Sequence, residues 1–328
     1  MIGGTNYSTT VSKDLPIWLA LNQKSYYFPA KVVARAIEQL SSLEDLWQSN
    51  DTILESVGFD KKSIKELAKI RSDSTIQECE RLINVLTIRS VKVIRFIDEE
   101  YPKQLKDTKI SDPPLLIFHK GSEINFNKCA AIVGTRNPTF YGRSMARKIA
   151  KTLADEEFII VSGLARGIDI ESHCGALESK HGKTIAVLAW FDPIYPDEHS
   201  ELVKDIERRG ARISENYQKA FGSMTPNKFV ERNRITSALS DFIIIVETGE
   251  DGGTVRQAEL AYKQNKPVFV LSPKENERAS RGFTLIMEKY NGISFRDTDD
   301  LLDRINENKL SPEKRLSQFN LDPQMKLE

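Results

Sequence analysis

The first part of the chain has the hydrophobic pattern of amphipathic helices. Apolar residues recur at three- and four-residue spacing in Val32–Leu40 and again in Ile64–Ile70, and this spacing places them on one face of a helix. The pattern extends over about Leu15–Ile88. It predicts a small helical domain over residues 1–88.

One turn in this domain resembles half of a helix-hairpin-helix motif. Gly58 follows one helical stretch and precedes another, Lys61–Lys69. Glycine permits a tight backbone at such a turn, and the free amides at the next helix start suit a phosphate. An ordinary connection between packed helices, with glycine after the helix end, explains the same residues. Both interpretations stay open.

A different pattern begins after Ser90. Short apolar runs predict strands of a buried, largely parallel sheet, at Val91–Ile97, Leu115–Phe118, Cys129–Val133, Phe158–Val161, Lys183–Leu188, Ala211–Ile213, Phe242–Val246 and Pro267–Leu271. Amphipathic stretches between them predict helices, at Tyr141–Glu156, Ile168–Ser179, His199–Arg208, Asn227–Leu239 and Thr254–Gln264. The alternation predicts a doubly wound α/β domain over residues 89–305. A polar tail over residues 306–328 follows.

Composition narrows the possible functions. Lys+Arg and Asp+Glu both total 47, so binding to nucleic acid requires a local concentration of positive charge. The cysteines, Cys79, Cys129 and Cys174, form no CxxC pair, which argues against a structural zinc site or a disulfide framework. No metal or cofactor is predicted. Because no apolar run approaches the roughly 18 residues of a membrane span and no secretory signal pattern opens the chain, we expect a cytoplasmic protein without membrane contact.

Three glycine-containing turns follow predicted strands: Gly134–Gly142, Ser162–Asp169 and Glu247–Thr254. In parallel α/β sheets, ligands bind beyond the carboxyl ends of the strands, where helix starts favour anions. The first turn carries Arg136 and the second carries Arg166. Each turn alone would be an ordinary strand-to-helix connection. Together at one edge of the sheet they predict a common rim that binds phosphates.

A fourth candidate lies at the start of the predicted helix Asn227–Leu239. Lys228 stands beside Phe229 in the sequence. This pair combines a cation for phosphate with a ring on which a base can stack, as in proteins that hold single strands without reading their sequence. A core position for Phe229 and a role for the following arginines, Arg232 and Arg234, as interdomain salt-bridge partners remain equally open.

Familiar nucleotide-binding and catalytic patterns do not fit. Gly182-Lys183-Thr184 lacks the glycine that a P-loop needs at Leu177, and it precedes a strand. Arg136 occupies the second glycine position of a dinucleotide fingerprint. Asp169 and His173 lie one helical turn apart, which is more typical of a helix-start hydrogen bond than of a catalytic pair. No catalytic residue is predicted.

Taken in order, the motifs closely resemble those of the DNA-processing protein A (DprA/Smf) family. They are Gly134-Thr135-Arg136, Tyr141-Gly142, Ser162–Asp169 with His173, Thr184–Leu188, Tyr195-Pro196, Ser214-Glu215, Phe229, Arg232–Ile235, Leu239-Ser240 and Gly252-Gly253-Thr254. The resemblance runs from about Ile88 to about Phe295. It implies an extended Rossmann-like fold, and the helical N-terminus resembles the sterile-alpha-motif-like (SAM-like) domain of many members.

The resemblance also implies a non-catalytic function. Such proteins bind single-stranded DNA, protect it and help load a RecA-type recombinase during natural transformation, and they often form homodimers. By motif position, the resemblance assigns strand contacts to Arg136, Lys228 and Phe229. The other predicted DNA-binding residues are Gly134, Thr135, Ser162, Gly163, Arg166, Arg232, Asn233, Arg234, Gly252, Gly253 and Thr254.

The chain departs from the family pattern at two loops and in its tail, which lacks a winged-helix module. Ala189–Ile194 replaces the usual glycine and aspartate, and we expect Trp190 to cover this loop. Glu250 and Asp251 add negative charge beside the third turn. These differences leave open whether the protein serves transformation or another DNA-handling or defence role.

Two other functions use a related fold. The cytokinin-activating phosphoribohydrolases need a glutamate three residues beyond the threonine of their glycine motif, where this chain has Gln257. A nucleotide-sensing module would bind a small ligand at the same phosphate rim. The sequence favours single-stranded DNA over both.

Overall fold

The computed structural model describes residues 12–23, 25–107, 112–123, 125–218, 226–249, 253–274 and 277–310. The chain forms two compact units, and each is assembled from two stretches of sequence. Unit 1 comprises Met1–Phe126 and Ile185–Leu239, and unit 2 comprises Asn127–Thr184 and Ser240–Glu328. The domain boundaries at residues 88 and 305 stay a prediction.

Helices fill the predicted helical region of unit 1: α1 (Leu15–Asn22), α2 (Ala30–Leu40), α3 (Leu43–Gln48), α4 (Asp51–Ser56), α5 (Lys61–Ile70) and α6 (Asp73–Ile88). Several of these short helices begin at polar caps, because Ser42, Asn50 and Ser72 each accept a hydrogen bond from a first-turn amide. The apolar faces meet in a core that includes Trp18 and Leu67. The predicted helical N-terminal region is confirmed.

The turn at Gly58 connects two packed helices. Gly58 has a φ of 101°, and Leu54 and Phe59 on either side are buried. The Asp60 carboxylate accepts the amide of Ser63 at 2.7 Å, and this hydrogen bond lowers the pKa of Asp60. Since the first turn of α5 already carries a negative charge, the structure favours the simple helix connection over a phosphate site.

The described residues contain nine strands: β1 (Lys92–Arg95), β2 (Leu116–Gly121), β3 (Cys129–Val133), β4 (Ile159–Ser162), β5 (Thr184–Leu188), β6 (Ala211–Ser214), β7 (Phe242–Ile245), β8 (Val268–Leu271) and β9 (Ile293–Phe295). In unit 1 the order is β1, β2, β6, β5, and β2 runs antiparallel to β1 and β6. In unit 2 the order is β4, β3, β7, β8, β9, with parallel neighbours. The predicted Rossmann-like, mostly parallel α/β fold is confirmed.

The remaining helices are α7 (Lys103–Asp107), α8 (Phe140–Asp155), α9 (Ile168–Glu178), α10 (Ser200–Arg209), α11 (Pro226–Leu239), α12 (Gly253–Lys263), α13 (Glu277–Lys289) and α14 (Thr298–Leu310). Three of these helices, α7, α13 and α14, and the strand β9 were not predicted from the sequence. Residues after Leu310 lie outside the described part of the chain. Within the described ranges, no helix combines the length and hydropathy needed to cross a membrane.

Two apolar layers cover the sheet of unit 2. Alternate residues of β3, such as Ile132, pack with α8 in one cluster, and those between them, such as Val133, pack with α12 and α13 in another. This alternation follows from the two-residue repeat of a strand. Because β4, β3 and β7 are parallel neighbours, their carboxyl ends share one edge of the sheet.

Candidate nucleic-acid interface

The three predicted glycine turns are tied together at this edge of unit 2. The amide of Thr135 donates to the Glu247 carbonyl at 2.8 Å, and the amide of Ile168 donates to the Thr135 carbonyl at 3.2 Å. The first turn is therefore hydrogen bonded to the second and to the third. The geometry gives the common rim that the sequence predicts. Gly252, with Glu250 and Asp251, lies outside the described residues.

Two glycines permit this close approach. A Cβ atom on Gly134 would lie 2.4 Å from Ile168 Cγ1. A Cβ atom on Gly167 would lie 2.3 Å from the Thr135 carbonyl oxygen, and Gly167 also has a φ of 85°. Interiors are close-packed, so neither position has room for a side chain without movement. The sequence analysis did not single out Gly167, because the need for it arises from the neighbouring turn.

Two arginine side chains are exposed at the rim. Arg136 and Arg166 are both exposed, and Thr135 between the turns is half-buried. The Thr135 hydroxyl accepts the amide of Asn137 at 3.2 Å, which holds the loop that carries Arg136. The rim thus presents two guanidinium groups, the side chains best suited to phosphate oxygens.

The helix starts beside these turns hold carboxylates of the protein itself. At the start of α8, the Glu247 carboxylate accepts the Thr139 amide at 3.1 Å and the Thr139 hydroxyl at 2.9 Å. Asp169, in the first turn of α9, accepts the amides of Gly163 at 3.2 Å and Ala165 at 3.4 Å, which belong to the preceding glycine turn. We expected such amides to bind phosphate. Internal carboxylates bind the Thr139 amide and two amides of the second turn, so the exposed side chains of Arg136 and Arg166 are the candidates for phosphate contacts at the rim.

Removing the charge of Glu247 should strengthen phosphate binding. Glu247→Gln keeps an oxygen that accepts from Thr139, yet it removes an anion from the start of α8, where a charge is worth about 0.3–1 kcal/mol. We expect affinity for single-stranded DNA at low salt to rise about two- to fivefold. Fluorescence anisotropy measures this, with Glu259→Gln on α12 as the control. Unchanged or weaker binding would show that Glu247 does not oppose phosphate.

Three predicted contact residues of unit 2 are buried, Ser162, Gly163 and Thr254. Ser162 is fully buried and its hydroxyl donates to the Ile132 carbonyl at 2.6 Å, while Thr254 is 8% exposed. Gly253 is exposed at the first position of α12. A buried hydroxyl does not reach a strand on the surface, so we revise the roles of Ser162 and Thr254 to support of the turns.

In unit 1, Phe229 belongs to an aromatic cluster, which we define as Trp190, Tyr195 and Phe229. The Phe229 ring lies 5.2 Å from the Trp190 ring and 5.9 Å from the Tyr195 ring, centroid to centroid. Trp190 is 6% exposed and its indole N–H donates to the Pro193 carbonyl at 2.9 Å. Trp190 therefore covers its loop as expected. Phe229 is half-buried and Tyr195 is 38% exposed, so the cluster retains surface that a base can contact.

Lys228 is the exposed cation beside this cluster. Its ammonium lies 2.8 Å from the Glu231 carboxylate, and the two side chains are 40% and 48% exposed. An exposed pair of this kind is weak, at about 0–1 kcal/mol. A DNA phosphate can therefore compete with Glu231 for Lys228.

The arginines of the same motif serve the interior of unit 1. Arg234 donates to both carboxylate oxygens of Glu215, at 2.8 and 2.7 Å, and to the Asp112 carbonyl at 2.9 Å. Burial opposes its charge, but Glu215 and Asp112 keep the pKa of Arg234 above its ordinary value. Arg232 is 7% exposed and Asn233 is half-buried. Arg234 therefore pairs with residues of its own unit and is not the interdomain salt-bridge partner that the sequence left open. The burial of the Arg234 and Arg232 side chains argues against direct strand contacts for both.

The side chains that the sequence analysis weighed for catalysis are buried or paired with other residues of the protein. His173 is fully buried and its Nδ1 lies 2.7 Å from the Thr184 hydroxyl, whereas Asp169 binds amides of the second turn. Gln257 is 2% exposed, and Glu259 pairs with Lys263 at 2.6 Å. In the described ranges, no group of three or more His, Cys, Asp or Glu residues is arranged to hold a metal ion.

A family comparison covers the whole of this site. The family described as DNA recombination-mediator protein A matches residues 92–306, which include the three turns and α11. The chain belongs to this family. The resemblance inferred from the sequence motifs is thereby confirmed.

Family relatives share about a third of their aligned residues with the chain. The DNA processing protein DprA of Bacillus subtilis is 35% identical over 196 residues, which are 58% of this chain and 64% of the relative. The protein Smf of Synechocystis is 31% identical over 276 residues, which are 81% of this chain and 66% of the relative. The chain thus spans slightly less than two thirds of the length of either relative.

Solved structures of the family have the same fold. DNA processing protein A of Helicobacter pylori, whose structure concerns its mode of binding single-stranded DNA, matches with a TM-score of 0.57 and 29% identity, over 66% of this chain and 96% of that one. DprA of Streptococcus pneumoniae matches with a TM-score of 0.68 and 24% identity, over 87% and 96% of the two chains. The second likeness supports the fold alone.

Proposed function

We propose that this family member is a non-catalytic, cytoplasmic protein that binds and protects single-stranded DNA and helps load a RecA-type recombinase, acting as a homodimer. The observation that carries the DNA-binding proposal is the rim of unit 2, where three interlocked glycine turns present Arg136 and Arg166. The single-stranded DNA bound by the Helicobacter pylori relative supports the same ligand.

Both units contact backbone phosphates in this proposal, and unit 1 also contacts a base. In unit 2, Arg136 and Arg166 bind backbone phosphates. In unit 1, Lys228 binds a phosphate while Phe229 and its aromatic cluster offer a surface for a base. Cations on the backbone and rings on the bases are the two contacts by which proteins hold single strands of any sequence.

The internal carboxylates favour a strand over a small nucleotide. A nucleotide needs its phosphates at a helix start, where several amides converge on one group. Glu247 accepts the amide of Thr139 at the start of α8, and Asp169 accepts two amides of the glycine turn that precedes α9. A DNA strand instead spreads single phosphates over separate side chains, and the exposed arginines suit that arrangement.

Removing either proposed phosphate contact should weaken binding and reduce its dependence on salt. A single-strand contact contributes about −0.7 to the slope of log affinity against log salt, so we expect Arg136→Ala and Lys228→Ala each to flatten the slope by about that amount. Affinity near 0.1 M salt should fall about fivefold. Fluorescence anisotropy of a labelled oligothymidine at several salt concentrations measures both quantities.

Matched controls separate these contacts from a general loss of charge. Lys204 pairs with Glu201 at 2.7 Å on α10, much as Lys228 pairs with its own neighbour, and Arg296 is 80% exposed in unit 2. Lys204→Ala and Arg296→Ala should leave the slope near that of the unaltered protein. An unchanged slope in both Arg136→Ala and Lys228→Ala would contradict the proposed contacts.

A further inference from the structure

Phe140, the first residue of α8, carries its ring in solvent. It is 88% exposed, whereas the next residue, Tyr141, is half-buried with the Lys274 ammonium 4.6 Å from the centre of its ring. A single exposed apolar residue needs no explanation by itself. Phe140 matters here because of its position, since it lies in the first glycine turn, Gly134–Gly142, four residues after Arg136.

A line of cations continues from Phe140 along α8. We define the α8 stripe as Phe140, Arg143, Arg147, Lys148 and Lys151, all exposed and spaced so that they share one side of the helix. The first acidic residue of α8 is Asp155. The four cations of the stripe outnumber the three carboxylates that pair with them, Glu171, Glu178 and Asp155. In a protein of formal net charge zero, this excess is a local concentration of positive charge of the kind that binding to nucleic acid requires.

The ion pairs of the stripe leave its cations available to a phosphate. Arg143 and Arg147 lie 3.8 and 3.0 Å from the Glu171 carboxylate, which is 18% exposed, while the two arginine side chains are 49% and 45% exposed. Arg147 also lies 3.2 Å from Glu178 and Lys151 lies 2.6 Å from Asp155, and in both pairs each side chain is nearly half exposed. Exposed pairs of that kind contribute about 0–1 kcal/mol. A guanidinium has five N–H donors, so it can bind a phosphate while it keeps a contact with Glu171.

We propose that Phe140 stacks on a base of the bound strand and that the α8 stripe carries the phosphates of that strand onward from Arg136. The inference rests on the proposed function and adds to it a surface outside the family motifs. Proteins that bind single strands combine aromatic rings, which stack on bases, with cations, which follow the phosphate backbone. Phe140 and the cations of the α8 stripe provide both kinds of contact. Bases in a duplex are already stacked on one another, so the ring also favours single strands over duplex.

The test compares two strands that differ only in their bases. Binding of oligothymidine and of an abasic strand of equal length is measured by anisotropy for the unaltered protein, Phe140→Ala and Tyr26→Ala. Tyr26 is an aromatic control that is 84% exposed in unit 1. Since stacking on one base is worth about 1–3 kcal/mol, Phe140→Ala should weaken oligothymidine binding by about five- to 150-fold and change abasic binding less than about twofold.

A second pair of variants tests the cations and a third variant tests the stacking directly. Lys148→Glu should weaken binding to both strands, whereas Lys31→Glu on α2 should not. Phe140→Trp should retain affinity, and its added fluorescence should be quenched by oligothymidine but not by the abasic strand. Circular dichroism melting should show unchanged folding, because Phe140 is exposed.

The outcomes distinguish this inference from the proposed function. If the unaltered protein binds oligothymidine and Phe140→Ala binds it equally tightly, the inferred stacking is wrong and the proposed function stands. Equal losses on oligothymidine and on the abasic strand would also overturn stacking. If the unaltered protein binds neither strand, the proposed function fails and the inference fails with it.

Discussion

Glu215→Ala is expected to lower the free energy of unfolding by about 3–5 kcal/mol, which is the usual cost of removing one partner of a buried ion pair. The side chains of Glu215 and Arg234 are 12% and 14% exposed, and two hydrogen bonds join them. Without Glu215 a guanidinium stays buried without its carboxylate. Thermal unfolding followed by circular dichroism should show a midpoint lower by roughly 6–20 °C.

Two further variants check the cause of this loss. Glu201→Ala removes a carboxylate that is 84% exposed and paired with Lys204, and it should change the stability by less than about 0.5 kcal/mol. The double variant Glu215→Leu with Arg234→Met should recover much of the loss, because no charge is then left buried. A loss below about 1 kcal/mol in Glu215→Ala would contradict the assignment of Arg234 to the interior.

Gly167→Ala is expected to cost about 2–5 kcal/mol and to weaken binding to single-stranded DNA. The new Cβ atom would lie 2.3 Å from the Thr135 carbonyl oxygen, and a φ of 85° is unfavourable for alanine. Overpacking costs about 1–3 kcal/mol and such a backbone conformation about 1–3 kcal/mol. Because the clash moves the loop that carries Arg136, urea unfolding and strand binding should change together.

Substitutions at three other glycines separate the effect of the steric clash from the effect of the positive φ. Gly58 has a positive φ with open space around it, Gly134 has a clash without a positive φ, and Gly253 has neither. We expect Gly58→Ala and Gly134→Ala each to lose about 1–3 kcal/mol, and Gly253→Ala to lose nothing. If Gly167→Ala is as stable as Gly253→Ala, the turns are not packed as described.

Periodicity was sufficient to predict most of the fold. Strand runs such as Cys129–Val133 are apolar at every position because both faces of the sheet are covered, and these runs identify the α/β class. The largely parallel arrangement was predicted, but the exceptional antiparallel direction of β2 was not. Nothing in the residues of Leu116–Gly121 shows that this strand runs antiparallel to both neighbours, because direction depends on the path of the connections.

The site was predictable as a set of loops and not as a set of contacts. The three glycine turns, of which the first contains Gly134 and Arg136, each follow a predicted strand. Turns that follow adjacent parallel strands lie at the same edge of the sheet, so their meeting could be predicted. The hydrogen bonds that Glu247 and Asp169 accept could not be predicted from the sequence. Their donors are amides of turns or helix starts, and the positions of these amides depend on the fold. Phe140 was missed for a related reason, because sequence spacing does not show whether an aromatic at a helix start is exposed.

Binding of an oligothymidine of about 20–30 nucleotides, measured beside a duplex of equal length at two salt concentrations, tests the central claim most directly. If the cations of both units bind phosphates and the aromatic residues contact bases as proposed, the protein binds the single strand more tightly than the duplex. Its affinity for the single strand should then fall as the salt concentration rises. Absence of binding to the single strand, or equal binding to strand and duplex, would contradict the account.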